Sequence, residues 1–128
     1  MIVLLDTSTS VCYVSLVEGA HVTEHQWQAD RTLARHLLAF LRDTLAQRGA
    51  SFGDLSGIGA MKGPGSFTGL RIGLSVANTL ADGLAIPIVG TAGDAWQVEA
   101  QARLARGEND QIVRPMYSSE AHITQPRK

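Results

Sequence analysis

Gly63-Pro64-Gly65-Ser66-Phe67-Thr68-Gly69 lies between a strand-like run, Leu55 to Met61, and a helical pattern from Thr68 to about Leu84. The fold class turns on what these seven residues do. Glycines that follow a strand and open a helix expose backbone N–H groups at the positive end of that helix, so a phosphate cradle is the first possibility to test. The register rejects it. A Walker A loop requires Gly, four residues, then Gly-Lys-Ser/Thr, whereas Thr68 stands five positions after Gly63 and no lysine follows it. A dinucleotide fingerprint starting at Gly63 wants Gly or Ala where Thr68 stands. Nor is Ser66 a nucleophile elbow: Gly65-Ser66-Phe67-Thr68-Gly69 is not Gly-x-Ser-x-Gly, and no His/Asp pair is placed for it.

What the residues can do is geometric. Pro64 fixes one backbone angle, Gly63 and Gly65 open angles closed to other residues, and Ser66 or Thr68 can cap the helix, a contribution of about 1 kcal/mol. Beyond the cap, Gly69, Gly73, Ala77 and Ala81 recur every four residues and form a ridge of small side chains. A second helix can approach such a ridge closely, and the sequence leaves open whether it comes from the same domain or from another subunit.

Upstream, Ile2 to Asp6 is a short apolar run ending in Thr7-Ser8-Thr9-Ser10, which predicts a central strand buried on both faces. Val11 to Val17 and His21 to Gln28, separated by Glu18-Gly19-Ala20, predict two further strands joined as hairpins. A helix capped by Asp30 or Thr32 runs to about Arg48, with Leu33, Leu37, Leu41 and Leu45 at four-residue spacing and Gly49 as its stop. Ala85 to Gly90 predicts a last strand, which Pro87 confines to an edge or to a strand start, and Ala92 to Ala105 a third helix. The order predicts an α/β fold with a mixed five-stranded sheet and helices packed on it. Residues 1–107 form the expected lobe. Glu108-Asn109-Asp110-Gln111 reads as a polar linker, and residues 108–128 as linker plus extended arm.

With 128 residues and 45% apolar content, the chain has the size of one globular domain. A net charge of −1 supplies no global field toward nucleic acid or an anionic membrane. Cys12 is the only cysteine, which excludes an internal disulfide and suits a reducing, cytoplasmic setting. Met1 to Leu5 carries no basic leader and meets Asp6 too soon for a signal h-region or a membrane span. His21, His25, His36 and His122 lack metal spacing, so no metal ligands are assigned. Asp6 is one carboxylate without a converging second acid, and reads as a turn cap; Asp54, Asp82 and Asp94 share no focus with it. Trp27 and Trp96 read as packing residues, since no basic cluster flanks them. No catalytic residue is assigned.

The first helix is apolar on more sides than a helix lying on a sheet needs, through Leu33, Leu37, Leu38, Phe40, Leu41 and Leu45. The second adds Leu70, Ile72, Leu74, Val76 and Leu80. This surplus predicts a partner interface comprising Leu33, Leu37, Leu38, Leu41, Leu70, Arg71, Gly73, Leu74 and Ala77. On that expectation Leu37→Glu or Leu74→Glu abolishes pairing and leaves a folded monomer.

Leu4-Leu5-Asp6-Thr7-Ser8-Thr9, combined with Gly63-Pro64-Gly65-Ser66-Phe67-Thr68-Gly69-Leu70-Arg71-Ile72-Gly73, closely resembles the TsaB (YeaZ) family. The resemblance runs from Met1 to about Ala102 and resumes in Arg114-Pro115-Met116-Tyr117 through Pro126. It implies an actin/hexokinase-like (RNase H-like) half and marks Asp6, Thr7, Ser8, Gly63, Pro64, Gly65, Ser66, Thr68 and Gly69 as the structural motif. It also implies a non-catalytic dimerisation subunit that pairs with the catalytic subunit TsaD, alongside the ATPase TsaE, or with a second copy when alone. That complex threonylcarbamoylates the adenosine next to the anticodon of tRNAs reading codons that start with A, with tRNA contacted indirectly. No cofactor is implied beyond a nucleotide at the partner boundary. Two departures stand out: the second lobe usual in relatives is almost absent, and Leu33-Ala34 replaces a His-Ser pair. Met116, Tyr117 and Ile123 are expected to lie across surface that lobe would cover. The rivals are an independent ATP-binding enzyme of the actin/hexokinase class and a homodimer with a new role.

Overall fold

The computed structural model describes residues 1–117. Its elements are β1 (Ile2–Asp6), β2 (Val11–Glu18), β3 (His21–Gln28), α1 (Leu33–Gln47), β4 (Gly57–Gly63), α2 (Phe67–Leu84), β5 (Ile88–Ala92) and α3 (Trp96–Ala105). The strands form one sheet in the order β3-β2-β1-β4-β5. β1 pairs antiparallel with β2 and parallel with β4, β2 pairs antiparallel with β3, and β4 pairs parallel with β5. This is the mixed five-stranded sheet that the order of apolar runs predicts.

β1 is central because both of its faces are apolar. Val3 and Leu5 join a cluster with α1 and α2, while Leu4 points to the opposite face and packs with Trp96 and Ala100 of α3. The leucines of α1 at positions 33, 37, 41 and 45 are all buried in the first cluster, each contributing about 1.5–3 kcal/mol by leaving water. α3 sits close to the sheet because Gly59 has no side chain: a Cβ there would stand 2.7 Å from Ala100 Cβ and from a methyl of Leu4.

Boundaries differ where local capping chemistry overrides periodicity. Thr32 does not cap α1; its hydroxyl donates to the Ala29 carbonyl at 2.6 Å, across a 3-10 turn at Asp30–Thr32. β5 begins three residues later than expected, because Ala85 takes a left-handed conformation (φ 57°) that ends α2, and the Pro87 carbonyl accepts from Ile58 N–H at 3.0 Å before the ladder starts. Pro87 therefore precedes an edge strand, in keeping with its missing donor. α3 starts at Trp96 instead of Ala92, after a turn in which Thr91 Oγ1 donates to the Trp96 carbonyl at 2.7 Å.

Candidate functional site

The signature residues converge at the carboxyl end of β1. The Asp6 carboxylate accepts from Ser8 N–H at 2.8 Å, closing the turn that its position suggests. Thr7 is buried, and its hydroxyl donates to the Gly69 carbonyl at 2.8 Å. Gly73, one turn further along α2, lies so close to the Thr7 side chain that a Cβ would overlap it. Ser66 caps α2: its hydroxyl accepts from Gly69 N–H at 3.1 Å, while its own N–H donates to the Ser8 carbonyl at 2.8 Å. A Cβ on Gly65 would stand 2.5 Å from Ser8 Cβ. Pro64 and Thr68 are exposed, and Gly63 holds a positive φ of 125° that favours glycine. Glycines are thus needed where α2 meets the β1–β2 turn.

The small-residue ridge faces inward. Gly69 and Gly73 meet Thr7, and Ala77 and Ala81 belong to the core cluster beneath α2. The same holds for most of the expected interface. Leu33, Leu37, Leu41, Leu70, Gly73, Leu74 and Ala77 are buried within this single chain; only Leu38, 51% exposed, and Arg71 face outward. The expectation that Leu37→Glu or Leu74→Glu leaves a folded monomer is therefore corrected, since either change places a carboxylate in the core. Most of the apolar surplus on α1 is taken up within the chain, Leu33, Leu37, Leu41 and Leu45 in the core and Phe40 packed at its margin, while Leu38 remains outside.

On the outer side of α2 a shallow groove of about 630 Å³ runs between Arg71, Ile72, Ser75 and Val76 of that helix, Ala34 of α1, and Val113 and Pro115 of the stretch after α3. Next to it, Phe67 is 52% exposed, with the Arg71 guanidinium 5.0 Å from its ring centre on one side and the Tyr117 ring at 4.7 Å. A second cleft, about 540 Å³, opens beside the β1–β2 turn and carries the hydroxyls of Thr9, Ser10, Thr32, Ser66 and Thr68 with Arg31 and Asp30. As a metal–nucleotide site it is a poor fit: Asp6 is engaged with the Ser8 amide, and among the described residues no three His, Cys, Asp or Glu side chains group to hold a metal ion. Cys12 is not a nucleophile either. Burial, reinforced by the Asp6 carboxylate, pushes its thiol up to about 12.

Several organising residues escape sequence reasoning. Asn78, Gly90, Arg103, Asp110 and Val113 fasten the stretch after α3 to β5 and α2, although that stretch reads as a linker. A clue was present in the alternation of Glu108 and Asp110 downstream of Arg103 and Arg106, but charge alternation near a helix end is common on solvated surfaces. Ile123 lies outside the described residues. Among the described residues, no helix is long and apolar enough to cross a membrane.

The family described as TsaD, tRNA N6-adenosine threonylcarbamoyltransferase, matches residues 21–116. The chain is 33% identical over 109 residues to the tRNA threonylcarbamoyladenosine biosynthesis protein TsaB of Escherichia coli, covering 80% of this chain and 47% of that one. The TsaB of Haemophilus influenzae is 32% identical over 105 residues, covering 82% and 44%. Among solved structures, YeaZ from Pseudomonas aeruginosa superposes with a TM-score of 0.69 at 32% identity, over 83% of this chain and 49% of that chain. The chain thus spans about half the length of the curated relatives it matches. Sequence similarity over most of its length, and an α/β sheet shared with YeaZ, make this chain a member of the TsaB (YeaZ) family.

Proposed function

We propose that this chain is a non-catalytic subunit in tRNA threonylcarbamoyladenosine biosynthesis, which supports a TsaD-type catalytic subunit in the cytoplasm through the outward face of α1 and α2. Leu38 is exposed on α1 and Arg71 on α2, Arg71 lies over the exposed Phe67 ring and lines the groove with Ile72 and Val76, and the buried Leu33, Leu37, Leu41, Leu70, Gly73, Leu74 and Ala77 set the shape of the two helices from beneath. The same face pairs two copies when the catalytic subunit is absent, and the TsaE ATPase and tRNA join through the complex. The observation that carries the reading is the junction itself. Its Asp6 carboxylate, Thr7 hydroxyl and Ser66 hydroxyl each have a backbone partner within the chain, so the signature spends its polar groups on placing α2. Names of relatives 33% and 32% identical supply the pathway.

The test is reconstitution of tRNA threonylcarbamoylation from purified components with and without this chain, and with a Leu38→Glu/Arg71→Glu variant. Both substituted positions are exposed, so we expect the variant to stay folded, which circular dichroism checks. We expect it to lose association and to lower modification by at least about tenfold, as truncation of an interface anchor does. Undiminished modification without the chain, or undiminished association of the variant in analytical ultracentrifugation, overturns the proposal. Calorimetric titration with Mg-ATP addresses the rival enzyme: tight binding by the isolated chain favours it.

A further inference from the structure

β5 is an edge strand, and an unpaired row of N–H and C=O groups on such an edge invites pairing with other chains. Here the side chains that follow α3 occupy that row. Ile88 N–H donates to Asn109 Oδ1 at 3.1 Å, Gly90 N–H to Asp110 Oδ2 at 2.8 Å, and Asp110 N–H to the Ile88 carbonyl at 2.7 Å. Arg103 reaches from α3 to the Gly90 carbonyl at 3.1 Å and holds both Asp110 and Glu108. The chain then turns inward. Val113 is only 4% exposed, and the Asn78 side chain on α2 pairs with its backbone as a neighbouring strand would, accepting from Val113 N–H at 2.9 Å and donating to its carbonyl at 3.0 Å. Finally Met116 N–H donates to the Lys62 carbonyl at 2.6 Å, the Met116 carbonyl lies over Gly63, and Tyr117 rests on Phe67 in the first turn of α2.

We infer that residues 108–117 are a latch that closes the β5 edge and, by ending on Lys62, Gly63 and Phe67, sets the first turn of α2 for partner binding. The partner-binding half rests on the function proposed above; the latch itself does not. Two glycines record the fit. The three nearest atoms to a Cβ at Gly90 all belong to Val113, and a Cβ at Gly63 would strike the Met116 carbonyl. Gly90 is buried in β5 and its φ lies outside the left-handed region, so a methyl group there collides with the latch and not with the sheet.

Hydrogen exchange on the full chain reads this directly. In Gly90→Ala we expect the amides of Ile88, Gly90 and Met116 to exchange at least about tenfold faster, those of Gly69 and Leu70 to follow, and the amides of the β1–β2 hairpin to stay protected. Adding Val113→Ala returns the space and restores protection. Asn78→Leu, which removes both hydrogen bonds to Val113 without touching β5, reproduces the loosening. Association with the partner weakens with the latch open and recovers in the double variant. Unchanged exchange in both single variants overturns the inference, as does exchange that rises equally in the hairpin and is not rescued. Latch opening with Gly69, Leu70 and association unaffected overturns the coupling to α2. If the wild-type chain never pairs, the proposed function falls, while joint loosening of the latch and the first turn of α2 still upholds the latch.

Discussion

The β1–α2 junction and the latch on β5 both hold irregular chain against the same sheet, by opposite physical means. At the junction the work is mainly steric: Gly65, Gly69 and Gly73 let α2 approach Thr7 and Ser8, and among the described residues no ion pair takes part, the hydrogen bonds running from hydroxyl or amide donors to carbonyls, to the Ser66 hydroxyl and to the Asp6 carboxylate. At the latch the outer half is ionic, with Arg103 between Glu108 and Asp110 and Arg106 on Glu108, and only Val113 is driven by burial. The family signature sits in the steric region because close approach tolerates few residue types. The ionic region can be written with ordinary polar residues, and so it reads as a linker.

The comparison breaks most severely where either helix loses its core. Leu37→Glu and Leu74→Glu each bury an uncompensated carboxylate, and we expect a cost on the order of 4–5 kcal/mol, enough to unfold a marginal domain. Circular dichroism and denaturant titration check this. A folded variant would mean that these leucines are surface residues after all. A smaller effect is expected at the junction itself. Gly73→Ala drives a methyl group into Thr7 and should cost about 1–3 kcal/mol, nearly equally across pH, since neither residue of that contact ionises. Equilibrium unfolding at several pH values measures both the size and the flatness.

The smallest effect separates the regions by pH. Burial alone would raise the Asp110 carboxyl, but hydrogen bonds from Arg103 and from Gly90 N–H outweigh it and hold it below the usual carboxylate range. Arg103, and then Arg106, lower Glu108. Groups depressed in the folded state add stability that is fully present above their unfolded values, about 4, and is lost as pH falls from there through the folded values. Acidification should therefore open the latch before the junction. NMR titration below about pH 4 is expected to shift the Ile88 and Gly90 amides first, with Gly69 following as the latch releases the first turn of α2, while Val14 in the β1–β2 hairpin stays fixed; an equal shift at Val14 would show that the loosening is not confined to the latch and the turn it sets.

Much of this architecture was legible. β1 announced itself as a doubly buried strand, the four-residue leucine spacing fixed the buried side of α1, and the glycine spacing excluded the common phosphate loops and suggested a helix-placing device. Ser66, named with Thr68 as a possible cap, is the residue that caps α2. What was not legible was the direction in which apolar and small faces look. Periodicity says that Leu37 and Leu74 share a buried face; it does not say whether a sheet of the same chain or another subunit buries it. Asn78 and Val113 are 35 positions apart, so no local pattern marks their pairing.

The order of elements, the lack of the common nucleotide-loop spacings and the family signature could all be read along the chain, because they rest on local backbone preferences and short-range periodicity. The tertiary structure alone decided that the Gly69-Gly73-Ala77-Ala81 ridge meets Thr7 and the chain's own core, and that the stretch after α3 is bound to β5. The reason is physical: a side chain's partner is fixed by which distant surface the folded sheet brings within a few ångströms, and that distance is written in no single segment of the chain.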